Sequence, residues 1–291
     1  MSIDILHEKI RKLKNPSMVD FGIEDSAIPA YLVEEEGSFL AAYARFCKEL
    51  MEGLKQTVPA VRFNFDTFAL MGAEGIAALT DLLRFAAEQD YYVLLDGPQI
   101  LSPWGADRAA DAIFNKGAFA CDGLMINPYI GSDAVKPFLP YCKDKLKDLF
   151  VVVRSPNKSA LEIQDLYTGS RLVHSAVAEM VNRFGETLYG KCGYSRLGAA
   201  VSAGSPTSVR TLRGGYNRMF LIVDGLDYPS GNYKNASLAF DRFGYGAVVC
   251  AGPSVTAAWK ETESDGQDYV ACAVKAAENM RKNILRYVTI L

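Results

Sequence analysis

Short runs of consecutive apolar residues recur along the chain, and each is followed by a segment with apolar residues at helical spacing. Because the runs are continuous rather than alternating, they predict strands covered on both faces, as in a parallel sheet. Eight runs are found: SMVDFG from Ser17, AVRFNF from Ala60, YYVLLD from Tyr91, CDGLMIN from Cys121, LFVVVR from Leu149, LGAAVS from Leu197, MFLIVD from Met219 and YGAVVC from Tyr245.

The segments between these runs predict amphipathic helices over residues 37–57, 73–89, 105–114, 132–146, 171–184, 206–212, 233–243 and 267–284. Eight strand-helix units of about 30 residues match a TIM barrel, which usually has about 250 residues. We therefore predict an α/β fold with one TIM-barrel domain over residues 1–291, whose N-terminal helix, residues 3–14, plugs or flanks the barrel base. A doubly wound open sheet is the alternative, although no G-x-G-x-x-G follows the first strand.

Composition and charge exclude several classes of partner. The net charge is −3 and the 31 basic residues are interspersed with 34 acidic ones, so no basic face predicts nucleic-acid binding. The N-terminus lacks the apolar core of a signal peptide, and no apolar run reaches the roughly 20 residues of a membrane span. The six cysteines show no C-x-x-C spacing and are expected to be reduced core thiols, which favours a cytoplasmic location.

Polar residues gather where the predicted strands end. In a TIM barrel the chemistry lies at these carboxyl ends. The strand-end positions hold Asp20, Glu24, Asn64, Asp66, Asp96, Asn127, Arg154, Asn157, Ser202, Asp224 and Asp227. The acids among them form no metal-binding spacing motif, and neither a zinc site nor a Cys-His nucleophile is indicated, so no metal is predicted.

Three stretches resemble one enzyme family. INPYIGSDAVKPF (residues 126–138), FVVVRSPN (residues 150–157) and GKCGYSRLGAAVS (residues 190–202) resemble the longer bacterial orotidine 5'-monophosphate decarboxylases. The resemblance extends from DSAIP at Asp25 to the last helix. It implies a TIM barrel, a homodimer with sites near the subunit interface, and action on a pyrimidine nucleotide in UMP biosynthesis without metal or cofactor.

The expected catalytic motif is changed. The family has Asp-x-Lys-x-x-Asp after the third strand, where the lysine protonates the carbon that loses carbon dioxide. On LLDGPQIL the first acid is Asp96, the lysine position holds Pro98 and the second acid position holds Leu101. Proline cannot donate a proton, and general acid catalysis contributes roughly 10² to 10⁴ in rate. The family's second-strand lysine falls on Arg62, so Asp96 and Arg62 are the candidate catalytic residues.

The phosphate-binding positions are also changed. The family holds phosphate with a glutamine after strand seven and an arginine after strand eight. Here these positions fall near Pro229 and on Pro253, and Asp224 and Asp227 add negative charge. Other family positions fall on Gly22, Gly105 and Pro156. We therefore predict loss of decarboxylation, with a retained role in binding a small ligand or a partner.

Ligand-binding candidates are Asn64, Asp66, Asn127, Arg154 and Asn157. Each has a structural alternative. Arg62, Asn64 and Asp66 are two residues apart and are predicted to share a face, where they would form a polar network. Asn127 is also expected to cap a helix or shape a loop. His7 and His174 are expected to be ordinary helix positions.

Three hypotheses remain open from the sequence. The first is a decarboxylase-like barrel without the ancestral reaction, which binds a pyrimidine nucleotide, a non-phosphorylated analogue or a protein. The second is an active decarboxylase with a rearranged site, in which Arg62 supplies positive charge and Asp96 acts on the substrate carboxylate. The third is a different lyase-type enzyme on the same barrel, because TIM barrels host many chemistries.

Overall fold

A computed structural model describes residues 2–262 and 264–291. Its eight parallel strands close into a barrel, which confirms the predicted TIM fold. All eight predicted runs contain a strand: β1 (Ser17–Asp20), β2 (Ala60–Asn64), β3 (Tyr92–Asp96), β4 (Gly123–Ile126), β5 (Asp148–Arg154), β6 (Leu197–Ser202), β7 (Leu221–Asp224) and β8 (Ala247–Ala251). Neighbours in sequence are neighbours in the barrel, and β8 pairs with β1 to close it.

Helices surround the barrel. The α-helices are α1 (Ser2–Leu13), α2 (Ala30–Glu36), α3 (Phe39–Leu54), α4 (Phe65–Ala69), α5 (Gly72–Glu88), α6 (Pro103–Ala109), α7 (Leu139–Asp144), α8 (Val173–Gly185), α9 (Pro206–Gly215), α10 (Tyr233–Ser237), α11 (Pro253–Thr256) and α12 (Tyr269–Leu285). Short 3-10 helices lie at Asp25–Ala27, Gly131–Ala134, Lys136–Phe138, Lys158–Glu162 and Ala258–Glu261, and a π-helix at Ala110–Asn115. Two-residue strands at Tyr167–Thr168 and Arg171–Leu172 form a hairpin between β5 and α8.

Several predicted helix boundaries are wrong for local reasons. The helix predicted over residues 37–57 is α3, and the separate helix α2 before it was not predicted; Gly37 has a left-handed φ of 64° that ends α2, and Ser38 then caps α3. The helix predicted over residues 132–146 is mostly 3-10 before α7. Pro137 and Pro140 each lie in the first turn of a new helical segment, where the N–H that proline lacks would have no partner within the helix. The helix predicted over residues 233–243 ends at Ser237.

The core has two layers because side chains alternate along each strand. Met18, Tyr92 and Leu94 pack inside the barrel, whereas Val19 and Val93 point outward to the helices. Ile3, Leu6 and Ile10 of α1 are buried against the interior cluster, so α1 plugs the amino-terminal end of the barrel as predicted. The opposite end is left open. Within the described residues, no helix is long and apolar enough to cross a membrane.

Candidate functional site

A cavity of about 660 Å³ lies at the carboxyl end of the barrel strands. This volume is within the range of about 300–1,000 Å³ that is usual for small-molecule sites. Of the predicted site residues, Arg62, Asp96, Asn127 and Arg154 line the cavity, together with the acids Asp20, Glu24, Asp224 and Asp227. Apolar side chains, including Met125, Val152, Ala200 and Cys250, complete its inner wall.

Arg62 crosses the floor of the cavity between two carboxylates. Its Nη2 lies 2.6 Å from Asp20 Oδ2, and its Nη1 lies 2.8 Å from Asp224 Oδ1. The parallel register places Asp20 directly beside Arg62, and barrel closure places Asp224 across from them. Burial lowers the pKa of Arg62, but both carboxylates raise it, and the net pKa is well above the usual value. The guanidinium is therefore permanently charged and already ion-paired.

Asp96 ends β3 beside this triad. In the described residues its carboxylate makes no salt bridge, and its one hydrogen bond comes from Asn64 Nδ2 at 3.4 Å. Burial raises the pKa of Asp96 to about 6, with Arg62 opposing the rise and Asp20 and Asp224 adding to it. Gly97 follows with a φ of 97°, a left-handed conformation that favours glycine.

Arg154, the second basic side chain of the cavity wall, is held by an acid from the following loop. Its Nε and Nη2 each donate to Asp165 at 2.9 Å, a bidentate pair. Asp165 Oδ1 lies 3.2 Å from Nδ1 of the buried His174, whose Nε2 lies 3.2 Å from Ser208 Oγ. His174 is thus part of a buried network rather than an ordinary helix position. Asp165 follows β5 in an irregular loop, so no periodic signal in the sequence identified it.

Asp227 binds backbone donors at the end of β8. Its Oδ2 accepts a hydrogen bond from the Gly252 N–H at 2.8 Å, and its Oδ1 accepts one from the Ser254 N–H at 3.0 Å. Two convergent backbone N–H groups form a small anion-binding arrangement. The protein's own carboxylate therefore occupies these donors. The sequence showed the acidic loop but not this contact.

The remaining predicted residues lie at the rim or outside the cavity. Asn64 Oδ1 accepts from the Thr67 N–H and caps α4, while its amide reaches Asp96. Asp66 does not share the face of Arg62 and Asn64, because β2 ends at Asn64 and Asp66 lies on α4. That part of the prediction is wrong. Asn127 shapes its loop by accepting from the Tyr129 N–H. Asn157 is exposed and accepts from Ser155 Oγ, outside the cavity wall.

Comparisons with known proteins agree with the architecture. Orotidine 5'-phosphate decarboxylase of Clostridium novyi is 26% identical over 285 residues, covering 98% of both chains, and that of Clostridium acetobutylicum is 27% identical over 285 residues, covering 98% of this chain and 99% of the relative. The chain resembles these decarboxylases from end to end. The resemblance predicted from the sequence is therefore confirmed. No protein-family model matches the chain.

Solved decarboxylases share the fold. The structure of Leishmania donovani OMP decarboxylase superposes with a TM-score of 0.77 at 23% identity, covering 99% of both chains. The Plasmodium berghei orotidine 5'-monophosphate decarboxylase superposes with a TM-score of 0.78 at 15% identity, covering 98% of this chain and 97% of that one. At these identities the likeness shows the barrel fold alone.

The resemblance to the decarboxylases assigned several positions to catalysis and phosphate binding. These positions are spread over the mouth of the barrel. Pro98, Pro156 and Pro253 line the cavity. Leu101 is 82% exposed and is not among the residues that line the cavity. Gly105 lies on α6, where its N–H donates to the Ser102 cap, and the Gly22 N–H donates to Asp20.

The cysteines and the possible metal ligands were located in the part of the chain that the structure describes. Within residues 2–262 and 264–291 no group of three or more His, Cys, Asp or Glu side chains is arranged to hold a metal ion. The six cysteines are free; four are buried, and Cys192 and Cys272 are partly exposed. Burial raises the pKa of the Cys250 thiol well above its usual value, which keeps it protonated and unreactive.

Proposed function

We propose that the protein is a decarboxylase-like barrel that binds a small, non-phosphorylated molecule in its strand-end cavity and does not decarboxylate orotidine monophosphate. The observation on which this depends is the state of the cavity's basic groups. Among the described residues, the cavity wall has two basic side chains, Arg62 and Arg154, and both are engaged by carboxylates of the same chain.

A decarboxylation that develops a carbanion needs a nearby acid to deliver a proton. An arginine is not deprotonated in proteins, so Arg62 stabilises charge but does not supply that proton. No lysine lines the cavity in the part of the chain that the structure describes. These facts support the loss of the reaction for which the relatives are named.

A phosphate group would also lack donors. Asp227 occupies the N–H groups of Gly252 and Ser254, and a phosphodianion beside this carboxylate would be repelled. Glu24 and Asp224 add negative charge to the same wall. A ligand without phosphate avoids this repulsion.

One observation favours a second candidate, an active lyase with a rearranged site. Because burial raises the pKa of Asp96 to about 6, a larger fraction of this carboxyl group is protonated near neutral pH than of an ordinary aspartate, and this fraction is able to serve as a general acid. Under this alternative Asp96 would replace the missing lysine, and Arg62 would stabilise the developing charge.

Turnover and binding separate the two candidates. The protein is purified from a host that lacks its own orotidine monophosphate decarboxylase, and substrate loss is followed by absorbance. We expect no turnover above the level of an Asp96→Asn variant prepared identically, and calorimetry with uridine and uridine monophosphate should show no preference for the phosphate. Turnover that disappears in Asp96→Asn would establish the lyase instead.

We also propose that a second copy of the chain covers the cavity side of the barrel. Exposed apolar side chains are concentrated on the loops that follow β2 to β5: Leu70, Leu101, Trp104, Tyr129, Leu161, Ile163, Leu166 and Tyr167. Because all these loops lie at the carboxyl end of the barrel, the exposed groups are on the same end as the cavity. Apolar patches of this kind commonly mark interaction sites.

A further inference from the structure

The cavity wall carries an excess of negative charge. Five acids line it, Asp20, Glu24, Asp96, Asp224 and Asp227, against two arginines. Arg154 does not reduce this excess, because its guanidinium is already paired with Asp165, which lies outside the wall. Arg62 is shared between Asp20 and Asp224. The cavity is therefore suited to a positively charged occupant.

Asp96 distinguishes this cavity from a solvated acidic surface. It is largely buried at the end of β3, yet no arginine or lysine of the described chain forms a salt bridge with it. One of its oxygens accepts a long hydrogen bond from Asn64, and its other oxygen has no partner within the described residues. A buried carboxylate without a counter-ion is unfavourable unless a ligand supplies one.

We propose that the cavity binds an organic amine whose ammonium group pairs with Asp96 and whose hydrocarbon part packs on the inner wall. This inference rests on the proposed function. An organic cation is favoured because the same wall also presents the apolar side chains of Met125, Val152 and Ala200, against which the hydrocarbon part of the ligand packs. A neutral ligand would leave Asp96 unpaired.

The raised pKa of Asp96 agrees with this reading. Burial and the neighbouring carboxylates of Asp20 and Asp224 both disfavour its ionised form, and Arg62 compensates in part. A bound ammonium would lower the pKa of Asp96, since an opposite charge at contact distance stabilises the ionised carboxylate. The cavity of about 660 Å³ easily accommodates a single aromatic ring with its amine.

The test uses three ring compounds of matched size and different charge: benzylamine, benzyl alcohol and benzoate. Calorimetry at pH 7.5 on the full chain should show benzylamine binding at least about tenfold tighter than benzyl alcohol, the scale of a charge-assisted hydrogen bond. Benzoate should bind weakest. Equal affinity for benzylamine and benzyl alcohol would overturn the inference.

Two variants test whether the preference for benzylamine comes from Asp96. Asp96→Asn should abolish the preference for benzylamine, whereas Asp107→Asn, an exposed acid on α6 after the same strand, should retain it. Circular dichroism confirms that each variant is folded before binding is measured. A preference that survives in folded Asp96→Asn contradicts the assignment. Turnover of orotidine monophosphate would overturn the proposed function, whereas loss of charge preference alone would overturn only this inference.

Discussion

The carboxylate of Asp227 accepts a 2.8 Å hydrogen bond from the backbone N–H of Gly252, joining the loop after β7 to the end of β8. A second bond comes from Ser254. These contacts make Asp227 both a structural link between two loops and the occupant of an anion-binding arrangement. Replacing it therefore has a structural and a functional consequence.

We expect Asp227→Ala to lower the free energy of unfolding by about 1–2 kcal/mol, because hydrogen bonds to a charged, partly solvated group contribute on this scale. It should also free two N–H donors, so that inorganic phosphate raises the Tm of the variant. Urea unfolding and thermal melts with and without phosphate measure both effects. Asp107→Ala is the control, and an equal response to phosphate in wild type and Asp227→Ala would rule out occupancy by Asp227.

Arg62→Met tests the floor of the cavity. The variant leaves Asp20 and Asp224 close together without their shared counter-ion, and removing one partner of a buried ion pair costs about 3–5 kcal/mol. We expect a loss of this size in urea unfolding. Combining Arg62→Met with Asp20→Asn and Asp224→Asn should recover part of it. A neutral effect of Arg62→Met alone would show that the ion pairs are exposed in solution.

The buried Asp148 at the base of the barrel should make stability depend on pH. It accepts a 2.8 Å hydrogen bond from Tyr92, and burial raises its pKa from 3.8 to about 8. Because the folded state holds this proton more tightly, the stabilisation is complete below pH 3.8 and is lost as pH rises through 8. Asp148→Asn should therefore show a smaller decline in free energy of unfolding between pH 5 and about 8, measured by urea unfolding. An unchanged decline would contradict the raised pKa.

Binding of benzylamine should follow the ionisation of Asp96. The groups that face Asp96 are Arg62, Asp20, Asp224 and Asn64, and with burial they place its pKa at about 6. Since a cation prefers the ionised carboxylate, affinity should rise as pH increases through 6 and then level off, with a roughly tenfold loss per pH unit below that value. Calorimetry between pH 5 and pH 8 measures this, with Asp96→Asn expected to give a flat profile.

If two copies associate through the cavity end of the barrel, a charge introduced at the rim of this end should weaken the association. Leu101 and Trp104 are exposed on the loop and helix after β3. If a second copy covers them, Leu101→Glu should convert a dimer to a monomer in analytical ultracentrifugation, because burying an unpaired carboxylate is unfavourable. Ile5→Glu, an exposed apolar position on α1 at the opposite end of the barrel, is the control and should leave the dimer intact. A monomeric wild type would contradict the proposal.

The sequence by itself determined the barrel. Continuous apolar runs such as YYVLLD bury both faces of a strand, and the intervening helical periodicity supplies the covering layer, so the eight strands and the plugging helix α1 were predictable. Asp96 was identified as an acid at a strand end, and the resemblance to the decarboxylases then made Asp96 and Arg62 the catalytic candidates. The helix α2 before Gly37 was missed, and the helical pattern over residues 132–146 was divided into shorter segments around Pro137.

Tertiary structure alone decided which charges meet. Arg62 and Asp224 are 162 positions apart and become partners only when the barrel closes, while Asp165 reaches Arg154 from an irregular loop that has no periodic signal. The Asp227 contact with Gly252 likewise depends on the approach of two loops. Hydrophobic periodicity records which face of each element is buried, but ion pairs depend on distances of a few ångströms across elements, and these exist only in the folded chain.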